Sequence, residues 1–151
     1  MIYISHRGNI SGKNRDLENT PDYIDRALDL GYDVEVDLWV HDSQLFLGHD
    51  SGHSEIDLSF LYERNHKLWI HCKNHSAVDM MSNTAFNWFW HDVDDMTITS
   101  KGFIWVYPGK QPINNSIAVI PELYEDNISN CIGVCSDYIQ DYYEKNTTFH
   151  I

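Results

Sequence analysis

The stretch Asp33-Val-Glu-Val-Asp-Leu-Trp-Val40 alternates acidic and apolar side chains through its first six residues. A period of two predicts a β-strand, with its valines and leucine on one face and Glu35 and Asp37 on the other. Two carboxylates on the same strand face repel one another unless a positive charge lies between them. The stretch therefore predicts a strand of the core and a place for a cation.

The segments that flank this strand predict an α/β fold. Ile2-Tyr3-Ile4 predicts a first strand. Thr20-Pro21 predicts the start of a helix, because threonine can cap the free amides and proline fits the first helical position. Gly31 then predicts the end of that helix. A strand, a helix and a strand in succession are typical of parallel α/β units.

The rest of the chain predicts further short elements. Apolar runs and alternation predict strands at residues 44–49, 67–73, 87–91, 102–107, 117–120 and 132–135, and helices at 57–63 and 75–83. The runs in the second half are rich in Val, Ile and aromatic residues, which suits strands buried on both faces, as in parallel sheets. A length of 151 residues fits one domain, residues 1–151, with a core of its own.

Composition restricts the partners. A net charge of −13 leaves no broad positive surface for nucleic acid or an anionic membrane, so we predict a small-molecule partner that local cations bind. No apolar stretch approaches the ~20 residues of a membrane span, and the N-terminus has no signal-peptide pattern, so we predict a cytoplasmic location. Cys72, Cys131 and Cys135 fit buried thiols in a reducing compartment better than a disulfide framework.

Two histidines bracket the acidic strand: His6, which Arg7 follows, and His49, which Asp50 follows. The chain thus combines two proton carriers, a cation and two hard oxygen ligands, which is the set of groups that cleaves a phosphodiester. Histidine has the side-chain pKa nearest neutrality, so one histidine can activate a nucleophile while the other protonates a leaving oxygen.

Four motifs carry a family resemblance: His6-Arg7-Gly8, Glu18-Asn19-Thr20, Glu35-Val36-Asp37 and His49-Asp50. In identity, order and approximate spacing they resemble the glycerophosphodiester phosphodiesterases. That superfamily includes the phosphatidylinositol-specific phospholipases C, and its fold is a TIM-like barrel with the active site at the C-terminal ends of the strands. The resemblance implies a metal-dependent hydrolase of a small glycerol- or sugar-linked phosphodiester.

The resemblance also implies roles for the matching residues. His6 and His49 would act as general acid and base. Glu35 and Asp37 would bind a divalent cation, which is Mg²⁺, Ca²⁺, Mn²⁺ or Zn²⁺. Arg7 would contact the phosphate. The segment 132–137 also looks like the closing strand of the family.

The third strand departs from the family pattern. Many members carry a metal-binding glutamate two residues before a lysine, whereas this chain has His71 before Lys73. We predict His71 as the third metal ligand and Lys73 as a second phosphate contact. Two carboxylates and one imidazole fit Mn²⁺ or Zn²⁺ better than Ca²⁺ or Mg²⁺. The alternative is that His71 is a core histidine that only donates a hydrogen bond.

The chain is also shorter than the ~200–250 residues that a (β/α)₈ barrel needs. We therefore predict a reduced TIM-like barrel with several helices missing or shortened, mainly in the second half. Strands without a covering helix expose apolar residues, which favours a homo-oligomer.

Several side chains keep two interpretations. Glu18 is either a buried partner of the arginine or simply the residue before the helix cap. Trp105 and Tyr107 either stack on a substrate or belong to the core, and the His91-Asp92 pair either adds metal ligands or belongs to an acidic loop. For the whole protein, the alternative function is a catalytically inactive phosphate-ester or glycan-binding relative, linked to surface polysaccharide synthesis.

Overall fold

The computed structural model describes residues 1–148, which form ten β-strands and four α-helices. The strands are β1 (Ile2–His6), β2 (Asp33–His41), β3 (Gln44–Leu47), β4 (Ser54–Ile56), β5 (Leu68–Cys72), β6 (Trp88–Trp90), β7 (Met96–Ile98), β8 (Ile104–Val106), β9 (Ser116–Val119) and β10 (Gly133–Ser136). The helices are α1 (Pro21–Asp29), α2 (Leu58–Glu63), α3 (His75–Ser82) and α4 (Ile139–Thr148). The chain is therefore a mixed α/β protein, as predicted.

One curled sheet organises these elements. Seven strands run parallel in the order β6-β5-β2-β1-β10-β9-β8, and β7 pairs antiparallel with β8 at one edge. The two edges of the sheet, β6 and the end of β7, lie close together. The backbone amide of Ser100, just after β7, donates to the Trp88 carbonyl of β6 at 2.7 Å. The Thr97 hydroxyl also donates to the Trp90 carbonyl at 3.0 Å. All the C-terminal ends of the parallel strands therefore lie at one rim.

The helices cover only part of the outer face of the sheet. α1 and α3 pack against β2, and α4 packs against β1 and β10. Within the described residues, the segment from β6 to β10 contains no α-helix, only a 3₁₀ turn at Pro121–Leu123. Trp90, Met96 and Ile98 are exposed on this side. The described part of the second half therefore lacks helices between its strands, as predicted. The homo-oligomer stays a prediction.

The core contains two groups of apolar side chains. The larger group packs the helices against the outer face of the sheet and includes Val34, Val36 and Leu38, the apolar set of the alternating strand. The smaller group fills the inside of the curl with Trp69, Phe89 and other side chains. β2 is therefore buried on both faces, and its carboxylates lie inside the curl.

Three aspects of the structure differ from the sequence predictions. β4, β7 and α4 were not predicted, because each is short or polar and has no clear periodicity. The Thr20 hydroxyl does not cap α1. It donates to the Leu17 carbonyl at 2.6 Å instead. Cys131 is only half-buried, whereas Cys72 and Cys135 are buried as expected.

None of the helices in residues 1–148 combines the length and the apolar composition of a membrane span.

Candidate functional site

The predicted site residues meet at the rim formed by the C-terminal ends of the strands. His6 ends β1 and lies opposite Glu35 in the register, and Asp37 lies opposite His71 on the other side of β2. A cavity of about 360 Å³ opens there. Its walls include six of the predicted residues: His6, Arg7, Glu35, His49, His71 and Lys73. The seventh, Asp37, is completely buried beside it.

The segment after β1 turns sharply so that Arg7 points into the site. Arg7 and Asn19 both adopt left-handed backbone conformations, with φ of 59° and 57°. The backbone N–H of Asn19 donates to the Arg7 carbonyl at 3.0 Å. Gly8 also has a positive φ of 94°, and a Cβ there would meet a Tyr23 ring carbon at 2.7 Å. The His-Arg-Gly sequence is therefore a turn that only glycine can complete.

Glu35, Asp37 and His71 form a cluster that can hold a metal ion. Each offers one ligand atom, and these atoms all lie within 4.8 Å of one another. His71 Nδ1 is 3.2 Å from Asp37 Oδ1 and 4.0 Å from Glu35 Oε1. A metal ion bound to nitrogen and oxygen at ordinary distances of about 2.0–2.2 Å holds its ligands this close together.

A hydrogen bond on the side of the His71 ring that faces away from the carboxylates indicates which ring nitrogen carries the proton. His71 Nε2 lies 3.2 Å from the His91 carbonyl oxygen, which can only accept, so Nε2 carries the proton. In the neutral ring, Nδ1 then presents a lone pair to Asp37 Oδ1 and Glu35. Three lone-pair donors facing one another require a proton or a metal ion between them.

Two buried oxygen atoms in the cluster lack hydrogen-bond donors. These are Glu35 Oε2 and Asp37 Oδ1, whereas Asp37 Oδ2 accepts from Asn19 at 3.0 Å and lies 3.0 Å from Arg7 Nε. Buried polar atoms are rarely left unpaired. The two contacts at Oδ2 therefore orient the free Oδ1 towards His71 and Glu35, where a cation would satisfy it.

The charge of this region also calls for a cation. Within residues 1–148 one Lys or Arg side chain, Arg7, is buried, against four buried carboxylates: Glu18, Glu35, Asp37 and Asp137. Burial and the charge of Asp37 raise the pKa of Glu35 well above its usual value. Burial acts in the same direction on Asp37, but a proton donated by charged His71 and the charge of Arg7 outweigh it and lower the pKa of Asp37. A divalent ion would balance the excess negative charge.

His6 is held by a carboxylate that the sequence did not single out. His6 Nδ1 is 2.7 Å from Asp137 Oδ1, so Nδ1 donates and Nε2 keeps a free lone pair. That Nε2 lies 3.7 Å from Glu35 Oε2, at the cavity. Burial opposes ionisation of Asp137, but the hydrogen bonds from His6 and Asn9 outweigh it and lower the pKa of Asp137. The pair resembles the Asp–His part of a hydrolase triad in geometry.

His49 contacts Arg7 more closely than any carboxylate, although its Nδ1 also lies 3.9 Å from Asp37 Oδ2. Its Nδ1 accepts from Arg7 Nη2, and its Nε2 lies 3.5 Å from the exposed Asp50. Burial and the charge of Arg7 lower the pKa of His49, which favours the neutral ring. The two predicted proton carriers therefore have opposite electrostatic environments.

A buried asparagine links these groups. Asn9 Nδ2 donates to Glu18 Oε1 at 3.1 Å and to Asp137 Oδ1 at 2.8 Å, and its Oδ1 accepts from the Tyr23 hydroxyl. Glu18 in turn accepts from Arg7 at 3.2 Å, so of its two interpretations the buried partner of Arg7 is the one observed. Asn9 thus connects the partner of His6 to the partner of Arg7.

We expect Asn9→Ala to destabilise the protein by about 2–4 kcal/mol, because it leaves two buried carboxylates short of a donor. Urea unfolding monitored by tryptophan fluorescence measures this change. Asn14→Ala, which removes a more exposed asparagine from the same loop, is the matched control and should cost under about 1 kcal/mol. Equal losses in the two variants would contradict the structural role of Asn9.

The wall opposite Arg7 is aromatic. Trp105 is buried against Trp69 and Phe89, with ring centroids 5.7 and 4.7 Å apart, yet it lines the cavity. Tyr107 is half exposed and stacks on His91 at 4.2 Å. Trp105 is therefore both a core and a cavity residue.

His91 and Asp92 line the cavity without joining the metal cluster. In the described part of the chain, the cluster consists of Glu35, Asp37 and His71 alone. His91 Nε2 donates to the Asp94 carbonyl, and Asp95 pairs with Lys110 at 3.0 Å. The acidic-loop interpretation of this segment therefore fits better than further metal ligands.

Comparison with known proteins adds nothing to these observations: no family model, no curated protein and no solved structure matches the chain. The resemblance to the glycerophosphodiester phosphodiesterases therefore rests on the four motifs.

Proposed function

We propose that this protein is a metal-dependent phosphodiesterase, similar to the glycerophosphodiester phosphodiesterases, on a reduced TIM-like barrel. One observation carries the proposal. One ligand atom from each of Glu35, Asp37 and His71 lies within 4.8 Å of the other two, and the buried Glu35 Oε2 and Asp37 Oδ1 have no hydrogen-bond partner among the described residues. His6 Nε2 lies 3.7 Å from Glu35 Oε2. A metal site, a proton carrier and an arginine in one cavity are the groups that phosphodiester hydrolysis needs.

Glu35, Asp37 and His71 would hold the metal ion. The donor set contains one imidazole, so it favours Mn²⁺ or Zn²⁺ over Ca²⁺ and Mg²⁺, which prefer oxygen alone. When bound, the ion would offset the negative charge that develops on the phosphoryl oxygens. Arg7 and Lys73, which also line the cavity, would bind the remaining phosphate charge.

The two histidines would share the proton transfers. Asp137 stabilises the charge that His6 acquires when its Nε2 takes a proton, so His6 suits the proton acceptor. His49 is neutral beside Arg7 in the free protein. An anionic phosphodiester bound at Arg7 adds negative charge, which raises the pKa of His49 and favours the protonated form that a proton donor needs.

The cavity suits a small substrate. Its volume of about 360 Å³ lies near the lower end of the range for small-molecule sites. Trp105 and Tyr107 supply an apolar wall on which a glycerol or sugar group can pack. We therefore propose a glycerol- or sugar-linked phosphodiester as the substrate class.

The second candidate function is an inactive phosphate-ester or glycan-binding protein. His71 favours it, because it stands where many members of the family that the motifs resemble carry a metal-binding glutamate, and the cluster therefore has two carboxylates instead of three. A panel of glycerophosphodiesters and sugar phosphodiesters, each with Mg²⁺, Ca²⁺, Mn²⁺ or Zn²⁺, separates the two. Release of the product alcohol supports the hydrolase, and tight binding without release with any metal supports the binding protein.

Asp137 is proposed as a positioning residue for His6. We expect Asp137→Asn to lower kcat by about 10–10³-fold with little change in KM, because the amide permits the wrong His6 tautomer. The acidic limb of the kcat–pH profile should also shift, which a purely structural role would not cause. As the control, Asp126→Asn removes a carboxylate outside the cavity and should leave both kcat and the profile unchanged.

A further inference from the structure

A second cavity continues from the first on the other side of Arg7 and His49. Its volume is about 390 Å³, and the two cavities share His6, Arg7, His49 and Ile120. We define the basic lobe as the part of this second cavity that is lined by Lys13, Arg15 and His53. Because Arg7 lines both cavities, a phosphodiester held at Arg7 could extend one of its two substituents into this lobe.

The basic lobe concentrates positive charge in an acidic protein. The chain has 10 Lys and Arg residues and a net charge of −13, yet Arg7, Lys13 and Arg15 all line this one cavity. Arg64, Lys67 and Lys110 pair with carboxylates, whereas within residues 1–148 neither Lys13 nor Arg15 forms an ion pair. The charge of Lys13 contributes to lowering the pKa of Asp137, but no salt bridge within the described residues holds either side chain in place, so both can contact a ligand.

The carboxylates of the second cavity do not cancel these charges. Glu18 is occupied by Arg7 and Asn9, at 3.2 and 3.1 Å. The Asp50 side chain is 96% exposed and lies 3.5 Å from His49 Nε2. Neither carboxylate reaches Lys13 or Arg15 within 4.0 Å.

The loop that carries the two cations is anchored on both sides of Lys13. The Gly12 amide donates to the Asp137 carbonyl at 2.9 Å, and the Asn14 amide donates to Asn9 Oδ1 at 3.1 Å. The backbone is thus fixed to the same residues that orient His6 and Arg7. A fixed backbone lowers the entropy that two exposed cations lose when they bind an anion.

We infer that the basic lobe binds a second anionic group of the substrate, a carboxylate or a phosphate on the substituent next to the scissile phosphodiester. The inference rests on the proposed function for the position of that phosphodiester. It narrows the substrate class to diesters that carry at least one negative charge besides the diester itself.

Glycerophosphoserine and glycerophosphoethanolamine test the inference, because they differ by one carboxylate. Calorimetry on the His6→Ala variant with Mn²⁺ measures binding without turnover. We expect glycerophosphoserine to bind about fivefold more tightly, since exposed ion pairs contribute modestly. Lys13→Ala/Arg15→Ala should bring the ratio to about one, and Lys101→Ala/Lys145→Ala, which removes the same charge elsewhere, should preserve it. Raising the salt concentration should reduce the preference.

The outcomes separate this inference from the proposed function. A binding preference that the Lys13/Arg15 variant removes supports the basic lobe even if the wild type hydrolyses neither diester. If the wild type hydrolyses both diesters and binds them with equal affinity, the basic lobe does not bind a second anionic group, and the proposed phosphodiesterase function is unaffected. A preference that survives in the Lys13/Arg15 variant, or no binding of glycerophosphoserine at millimolar concentration, also overturns it.

Discussion

His6→Ala is expected to lower kcat for a phosphodiester by about 10²–10⁴-fold, the range that general acid–base groups contribute. His6 Nε2 lies 3.7 Å from Glu35 Oε2 and lines the cavity, where it can accept a proton. Its loss leaves Asp137 still bonded to Asn9, so the fold should persist. The measurement is steady-state kinetics with the metal that supports the highest wild-type rate.

His49→Ala separates loss of chemistry from loss of fold. The His49 side chain is 45% exposed, so its removal costs little packing, yet kcat should fall by a similar factor. His66→Ala removes an exposed histidine far from the cavity and should keep the wild-type rate. Normal turnover in both His6→Ala and His49→Ala would mean that the proton carriers have been assigned wrongly.

Glu35→Gln and Asp37→Asn are each expected to weaken divalent metal binding by about 100-fold or more, because each isosteric change removes a ligand charge. Calorimetry with Mn²⁺ and Zn²⁺ measures the affinity. Glu63→Gln changes an exposed glutamate and should leave it unaltered.

Thermal unfolding of the same two variants tests the metal site independently of calorimetry. In chelator, Glu35→Gln should be at least as stable as the wild type, since it removes the charge of a buried carboxylate whose Oε2 has no hydrogen-bond partner in the described residues. With metal, only the wild type should gain stability, because a ligand that binds the native state raises its unfolding free energy. A variant that gains as much from metal as the wild type would show that the ion binds elsewhere.

Local pattern was enough to predict most of the parallel strands, and the motifs picked out seven candidate residues that lie at or beside one cavity. The alternation in β2 places Glu35 and Asp37 on one face, and parallel strand ends necessarily meet at one rim. The parallel register then brings Glu35 opposite His6 and Asp37 opposite His71.

The partners of those residues were harder to predict. Asp137 reaches His6 across 131 positions of sequence, and no local periodicity encodes such a pairing. Asn9 and Asn19 were present in or beside the motifs, but asparagine is common in turns, so its type alone does not indicate a buried hydrogen-bonding role. The start of α1 at Pro21 was predicted correctly. The Thr20 hydroxyl was not, because it bonds to the preceding turn at the Leu17 carbonyl.

Metal dependence of turnover tests the central claim most directly. The measurement is hydrolysis of a glycerophosphodiester by chelator-stripped protein as Mn²⁺ or Zn²⁺ is added back. We predict no turnover in the stripped protein, recovery that saturates near one ion per chain, and no recovery in Glu35→Gln/Asp37→Asn. Full turnover without metal, or recovery in the double variant equal to that of the wild type, would contradict the metal-dependent phosphodiesterase.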